Sequence, residues 1–122
     1  MITIDGAIYN VPVTRLSRRA EFLDKYAERT EDGVLHRELI GVYFNYQLQF
    51  GNDGDTAEYA RLWAKLTEPV EFHMVTVPDE DGDYSFQAYF SNVGDELVKA
   101  RGATRFWRSL TVNFVAQSPA RV

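Results

Sequence analysis

Hydrophobic residues occupy every second position along one stretch of the chain. Ile40, Val42, Phe44, Tyr46, Leu48 and Phe50 share one parity, and Gly41, Tyr43, Asn45, Gln47 and Gln49 the other. A period of two marks a strand with one core face and one polar face. The pattern predicts a strand from about Val34 to Phe50, well beyond the common length of about 5–6 residues. A strand this long is expected to run past its own sheet as one arm of a hairpin. Between Thr14 and Arg29, Leu16, Ala20, Leu23 and Ala27 fit a helix period and other residues fit strands only in pieces; the well-marked turn Thr30-Glu31-Asp32-Gly33 and the strand after it favour a long strand with an irregularity.

The same test orders the rest of the chain. Asp5-Gly6 between Ile2–Ile4 and Ala7–Val13 is a hairpin signal. Asp55 stands as an N-cap with Glu58 three residues on, and Tyr59, Leu62, Trp63 and Leu66 recur at helical spacing before Pro69. One amphipathic helix over about 55–67 follows, needing a sheet to cover. Val70 to Val77 reads as a strand with Val70, Phe72 and Met74 on one face, which places His73 toward solvent or a partner. After the acidic turn Asp79–Asp83 comes a partner strand carrying Tyr84, Phe86, Ala88 and Phe90. Asn92 to Arg101 reads as a connection or short helix. Ala103 to Gln117 is the last strand, with Leu110, Val112, Phe114 and Ala116 on one side, and residues 118–122 form a loose tail.

These elements predict a mainly β (α+β) fold: two packed antiparallel sheets, sandwich- or barrel-like, with one flanking helix. A single domain spans 1–122, with a hairpin arm over about 14–50. The expected core is Ile40, Val42, Phe44, Tyr46, Leu48, Leu62, Trp63, Leu66, Phe72, Phe86, Val112 and Phe114. At 122 residues and 45% hydrophobic content, the chain has the material for one such core.

Charge and chemistry narrow the function. Eighteen acidic against 13 basic residues give a net charge of −5, which opposes general affinity for nucleic acid. The clusters Arg15, Arg18, Arg19 and Arg101, Arg105, Arg108 are local exceptions. The absence of cysteine removes disulfides and thiolate chemistry and fits a cytoplasmic site of synthesis. The start has no basic stretch ahead of an apolar run, as a secretory signal requires, and no stretch approaches the length of a membrane span. Nucleophile-elbow, phosphate-loop and metalloprotease-helix motifs are missing. His36 and His73 read as surface or hydrogen-bonded histidines, and the acidic turn as a solvated turn rather than a calcium loop. The expectation is a non-enzymatic protein with no cofactor and no metal, acting through protein contacts.

The run Tyr59-Ala60-Arg61-Leu62-Trp63-Ala64-Lys65-Leu66-Thr67, then Phe72 to Pro78, the acidic turn, Tyr84 to Asn92 and Phe106 to Phe114 resembles small tail proteins of tailed bacteriophages and prophages, those sharing the tail-tube and distal-tail (baseplate) fold. The resemblance implies a structural subunit of the virion tail, assembled into rings in which long hairpin arms contact neighbouring subunits and line a channel. The implied partners are further copies of the chain and other tail proteins, with no membrane and no specific nucleic acid. On that reading Tyr43, Asn45, Gln47, Gln49, Arg18 and Arg19 face a lumen or a neighbour. A small-ligand or carbohydrate-binding β-domain is the alternative, using Trp63, Trp107 and nearby tyrosines in a cleft. A hydrolase using carboxylates such as Glu71 or Glu96 stands behind it.

Overall fold

The computed structural model describes residues 2–102 and 104–122, without the side chains of Lys99 and Thr104. The chain is mainly β with one flanking helix. Its order is β1 (Ile2–Ile4), β2 (Ala7–Tyr9), β3 (Val13–Arg29), β4 (Leu35–Phe50), α1 (Thr56–Leu66), β5 (His73–Asp79), β6 (Gly82–Arg101) and β7 (Thr104–Ala116). Ala103, expected to open the last strand, lies outside the described residues.

The strands join edge to edge in one antiparallel sheet, ordered β2-β1-β5-β6-β7-β4-β3, rather than in two separate sheets. The connection between its two outer strands shows that this sheet is curled. β2 ends at Tyr9 and β3 begins at Val13, so the intervening chain reaches at most roughly 14 Å. A flat sheet would hold strands six spacings apart at about 29 Å. The edges are therefore brought together and the sheet closes on itself like a barrel. Two contacts agree. Arg18 on β3 reaches Asp79 at the end of β5 with a 2.6 Å ion pair, and Tyr46 on β4 packs on Phe86 of β6 with 5.4 Å between ring centroids, although β7 lies between those strands in the sheet.

The curled sheet encloses Ile2, Ile4, Tyr46, Leu48, Phe50, Val75, Val77, Phe86, Leu110, Val112 and Phe114. Helix α1 closes the enclosure with Tyr59, Leu62 and Leu66, all buried. Asp55 caps the helix by accepting from the Glu58 backbone N–H at 3.1 Å. Glu58 does not complete a capping box. Its carboxylate accepts from the Asn10 backbone N–H at 3.3 Å and pairs with Arg61, which fastens the helix to the chain after β2.

Three expected core positions lie outside the enclosure. Ile40 is half exposed because β4 has left the barrel by that point. Trp63 keeps 37% of its surface in water because the helix points Leu62 and Leu66 inward, and Trp63 is rotated toward a flank. Phe72 precedes β5 and is only partly buried, edge-on to Tyr89. Val42 and Phe44 are half-buried at the rim.

The β5 register also reverses the expected faces. His73, Val75 and Val77 point inward, and Met74 is exposed. His73 tolerates burial because its Nδ1 is 2.7 Å from Asp5 Oδ2 and its ring stacks on Phe90 with centroids 4.6 Å apart. The segment Asn92–Arg101 is neither connection nor helix; it continues β6. Residues 118–122 are not loose either. The Ala120 N–H donates to the Val42 carbonyl at 2.8 Å, and the Val42 N–H donates to that of Arg121 at 2.8 Å.

Gly41 makes this docking possible. A Cβ there would stand 2.6 Å from Pro119 Cβ and 2.8 Å from the Arg121 carbonyl oxygen. Gly41→Ala is expected to cost about 1–3 kcal/mol, the usual range for an overpacked site. Urea denaturation measures that cost. Hydrogen exchange should show lost protection at the Val42 and Ala120 amides.

Candidate functional site

Two hairpins project from the barrel. The first is made by β3 and β4. β4 pairs with β7 only over Tyr46–Phe50, and β3 accompanies β4 as far as the Arg29–Leu35 pair. From Gly41 outward the two strands pair with each other, and among the described residues no third strand pairs with them. Register shifts at Leu23/Asp24 and Asp24/Tyr26 bend this ribbon, as bulges do. Phe22, Leu23, Tyr26, Val34, Leu35, Leu39 and Ile40 lie along it, each with 44–56% of its surface exposed. These seven large apolar side chains are shared between the two faces of one two-stranded arm, and exposed apolar residues gathered on one projecting element mark a contact site.

The base of this arm sorts the residues expected to meet a neighbour. Arg19 pairs with Asn45 and Ser17 with Gln47, and Tyr43, Asn45, Gln47 and Gln49 lie on the sheet face opposite the buried Tyr46 and Leu48. Asn45 is partly engaged within the chain: its Nδ2 donates to Glu21 at 3.0 Å, and its Oδ1 accepts from the Ala116 N–H at 2.9 Å. Arg18 is on the other face, where it pairs with Asp79 and Glu80. These ion pairs brace β3 against the acidic turn and leave half of the Arg18 side chain exposed.

The second hairpin is the outer half of β6 with the first half of β7. Asn92 (φ 55°) and Ser109 (φ 59°) sit at its root in the left-handed region, beside register shifts at Ser91/Gly94 and Gly94/Glu96. Glu96, one of the two candidate hydrolase carboxylates, lies 3.5 Å from Arg108 across this hairpin. Glu71 is exposed ahead of β5.

Between the root of the second hairpin and α1 lies a cleft of about 310 Å³. Trp63 and Trp107, more than 40 positions apart in the chain, both wall it, together with Tyr59, Asp95 and Arg105. The Tyr59 hydroxyl donates to Asp95 Oδ2 at 3.0 Å. Burial, then the adjacent Asp95 carboxylate, push the phenol well above its ordinary pKa, so this proton stays in place. Asn52 ties the other end: Nδ2 donates to the Trp107 carbonyl at 2.9 Å, and Oδ1 accepts from the Gly54 N–H at 3.0 Å. Asn52 and Asp95 carry no signal in the sequence pattern, because their partners are set by tertiary placement alone.

No protein-family model, curated protein or solved structure matches the chain. Among the described residues no helix is long and apolar enough to cross a membrane.

A third cluster joins Asp5, Lys65, Glu68 and His73. Lys65 Nζ lies 3.1 Å from Asp5 Oδ2 and 3.3 Å from Glu68 Oε1. Asp5, Glu68 and His73 are close enough to share a cation. The Lys65 ammonium already sits among the two carboxylates, so the cluster reads as a charge network fastening α1 to the β1–β2 turn. That turn has positive φ at both Asp5 (51°) and Gly6 (83°), the two-residue form an Asp-Gly pair favours.

Burial alone would raise the Asp5 carboxyl. The hydrogen bonds from His73, the Met74 backbone N–H and Lys65 outweigh it and hold the group at about 2. A depressed carboxylate contributes stability above its unfolded value near 4, and loses it as pH falls through the folded value. The Asp5 contribution should therefore disappear between about pH 4 and pH 2. Because Asp5 is one-third exposed, solvent screening limits it to about 1 kcal/mol. Asp5→Asn, which keeps the turn conformation, should flatten the acid limb of a stability–pH curve followed by thermal unfolding.

Proposed function

We propose that the protein is a non-enzymatic structural subunit that associates with further copies of itself through its first hairpin arm. Tube, tube-end or baseplate positions in the tail of a tailed phage or prophage are the setting its sequence resemblance suggests, with other tail proteins as additional partners. The observation that carries this reading is the arm itself, with seven large side chains half exposed on a ribbon beyond the core.

Magnitudes favour assembly over a single pairing. Burying the remaining half of each such side chain contributes roughly 1 kcal/mol, or about 5–10 kcal/mol for one arm. Association costs about 4–15 kcal/mol in lost freedom. One contact is thus marginal, whereas a closed arrangement in which every subunit makes two contacts is stable. The open edge of β3 is guarded by Arg15, Arg19, Glu21 and Lys25 and bent by its bulges, which discourages unselective strand pairing. Apolar faces of the arm are left as the contact. The net negative charge suits a subunit that does not retain nucleic acid.

The cysteine-free sequence allows a clean test. Labelling of Leu39→Cys on the arm and of Ala64→Cys on the exposed side of α1 by a thiol reagent is compared at low and high protein concentration. The arm thiol is expected to react at least tenfold more slowly at high concentration, while the helix thiol is unchanged. Equal rates at both concentrations for the arm thiol would count against contact through the arm.

A further inference from the structure

We propose that the cleft between α1 and the root of the second hairpin binds a neutral saccharide. This site is separate from the first arm and does not depend on the assembly reading. Its walls are held together before any ligand arrives. The Tyr59–Asp95 hydrogen bond joins helix to β6, and the Asn52–Trp107 hydrogen bond joins the β4–α1 loop to β7 across 55 positions of sequence. A pre-formed site avoids the ordering cost that otherwise weakens binding of a small ligand.

The lining identifies the ligand class. Trp63 and Trp107 remain 37% and 42% exposed, and they are the only tryptophans in the chain. Indole faces are large, rigid platforms with an apolar body, suited to the C–H faces of a sugar ring. Asp95 engages Tyr59 through Oδ2, which leaves Oδ1 to accept from a ligand hydroxyl. Arg105 brings a guanidinium to the same cleft. An anionic ligand would meet the Asp95 carboxylate, and a cationic ligand the Arg105 guanidinium. A polyhydroxyl ligand both donates and accepts, so it suits the mixed pair without bringing a like charge to either member, and its ring suits the two indole faces. At about 310 Å³ the cleft is at the small end of ligand pockets, enough for one ring with a second at the mouth.

Because both tryptophans line the cleft, intrinsic fluorescence reads its occupancy directly. The intact chain is titrated with maltose, cellobiose, lactose and N,N′-diacetylchitobiose, and in parallel with tetramethylammonium chloride and sodium glucuronate. At least one disaccharide is expected to give a saturable spectral change with a Kd on the order of 1 mM. Asp95→Asn should weaken it roughly tenfold, the effect of losing one charge-assisted hydrogen bond. Trp107→Ala should abolish it, read through Trp63. Far-UV circular dichroism confirms that both variants fold, and Trp63→Phe, which keeps an aromatic face, should bind more weakly than the intact chain but more tightly than Trp107→Ala. The proposal is overturned if none of the four disaccharides gives a saturable change, if the response survives both Asp95→Asn and Trp107→Ala, or if tetramethylammonium or glucuronate saturates the signal instead.

Discussion

Phe114→Ala is expected to remove about 4 kcal/mol of unfolding free energy, within the range for truncating a fully buried phenylalanine. Phe114 has no exposed surface. It pairs with Tyr46 on β4 and Phe90 on β6, and its ring stacks on Phe90 with centroids 4.7 Å apart. The side chain therefore sits where three strands of the curled sheet meet, and neighbours fixed in a hydrogen-bonded ladder cannot collapse into the space it leaves. Against a total stability of about 5–15 kcal/mol for an ordinary domain, the loss leaves about 1–11 kcal/mol. Urea denaturation should show a lower midpoint with an unchanged slope. Ile40→Ala, half exposed on the arm, should change the midpoint by a fraction of that amount, because the isolated chain gains little by covering it.

Excising the outer arm should have the opposite pattern: little effect on the fold and a large effect on association. Replacing Asp24–Ile40 by Asn-Gly joins Leu23 to Gly41, which already face each other in the ladder, through the two-residue turn such hairpins accept. The removed residues pair only among themselves or with solvent-exposed neighbours, while the Arg18–Asp79 brace and the Val42–Arg121 bridge remain. The melting temperature measured at high dilution should stay within a few degrees of the intact chain, since the deleted ribbon covers none of the buried core.

The strand pattern was legible wherever one face is buried and the other wet. β4 and β7 keep a period of two over their barrel segments, so Tyr46, Leu48, Val112 and Phe114 could be placed from sequence alone. Around β5 the rule had no purchase. Both parities between Val70 and Val77 contain apolar residues, and the choice is made by Asp5, which holds His73 inward from 68 positions away. Ile40 and Trp63 mark a different limit: periodicity reports which face an element turns inward but not where the core ends. The outer half of β6 was obscured because its register shifts and the left-handed Asn92 break the alternation that announces a strand. The curl of the sheet depends on strand order, which no local pattern encodes, although the short Asn10–Pro12 link permits little else once that order is known. In the cleft, Trp63 and Trp107 drew attention by type. Asp95 and Asn52 did not, because an isolated Asp or Asn in a polar stretch looks like any turn residue.

Sedimentation velocity across a dilution series, on the intact chain and on the arm-excised variant side by side, reads self-association through the arm. The intact chain is expected to shift from its 14.0 kDa monomer to larger species as concentration rises, while the excised variant remains monomeric throughout. An intact chain that stays monomeric at every concentration, or an excised variant that associates equally well, would contradict it.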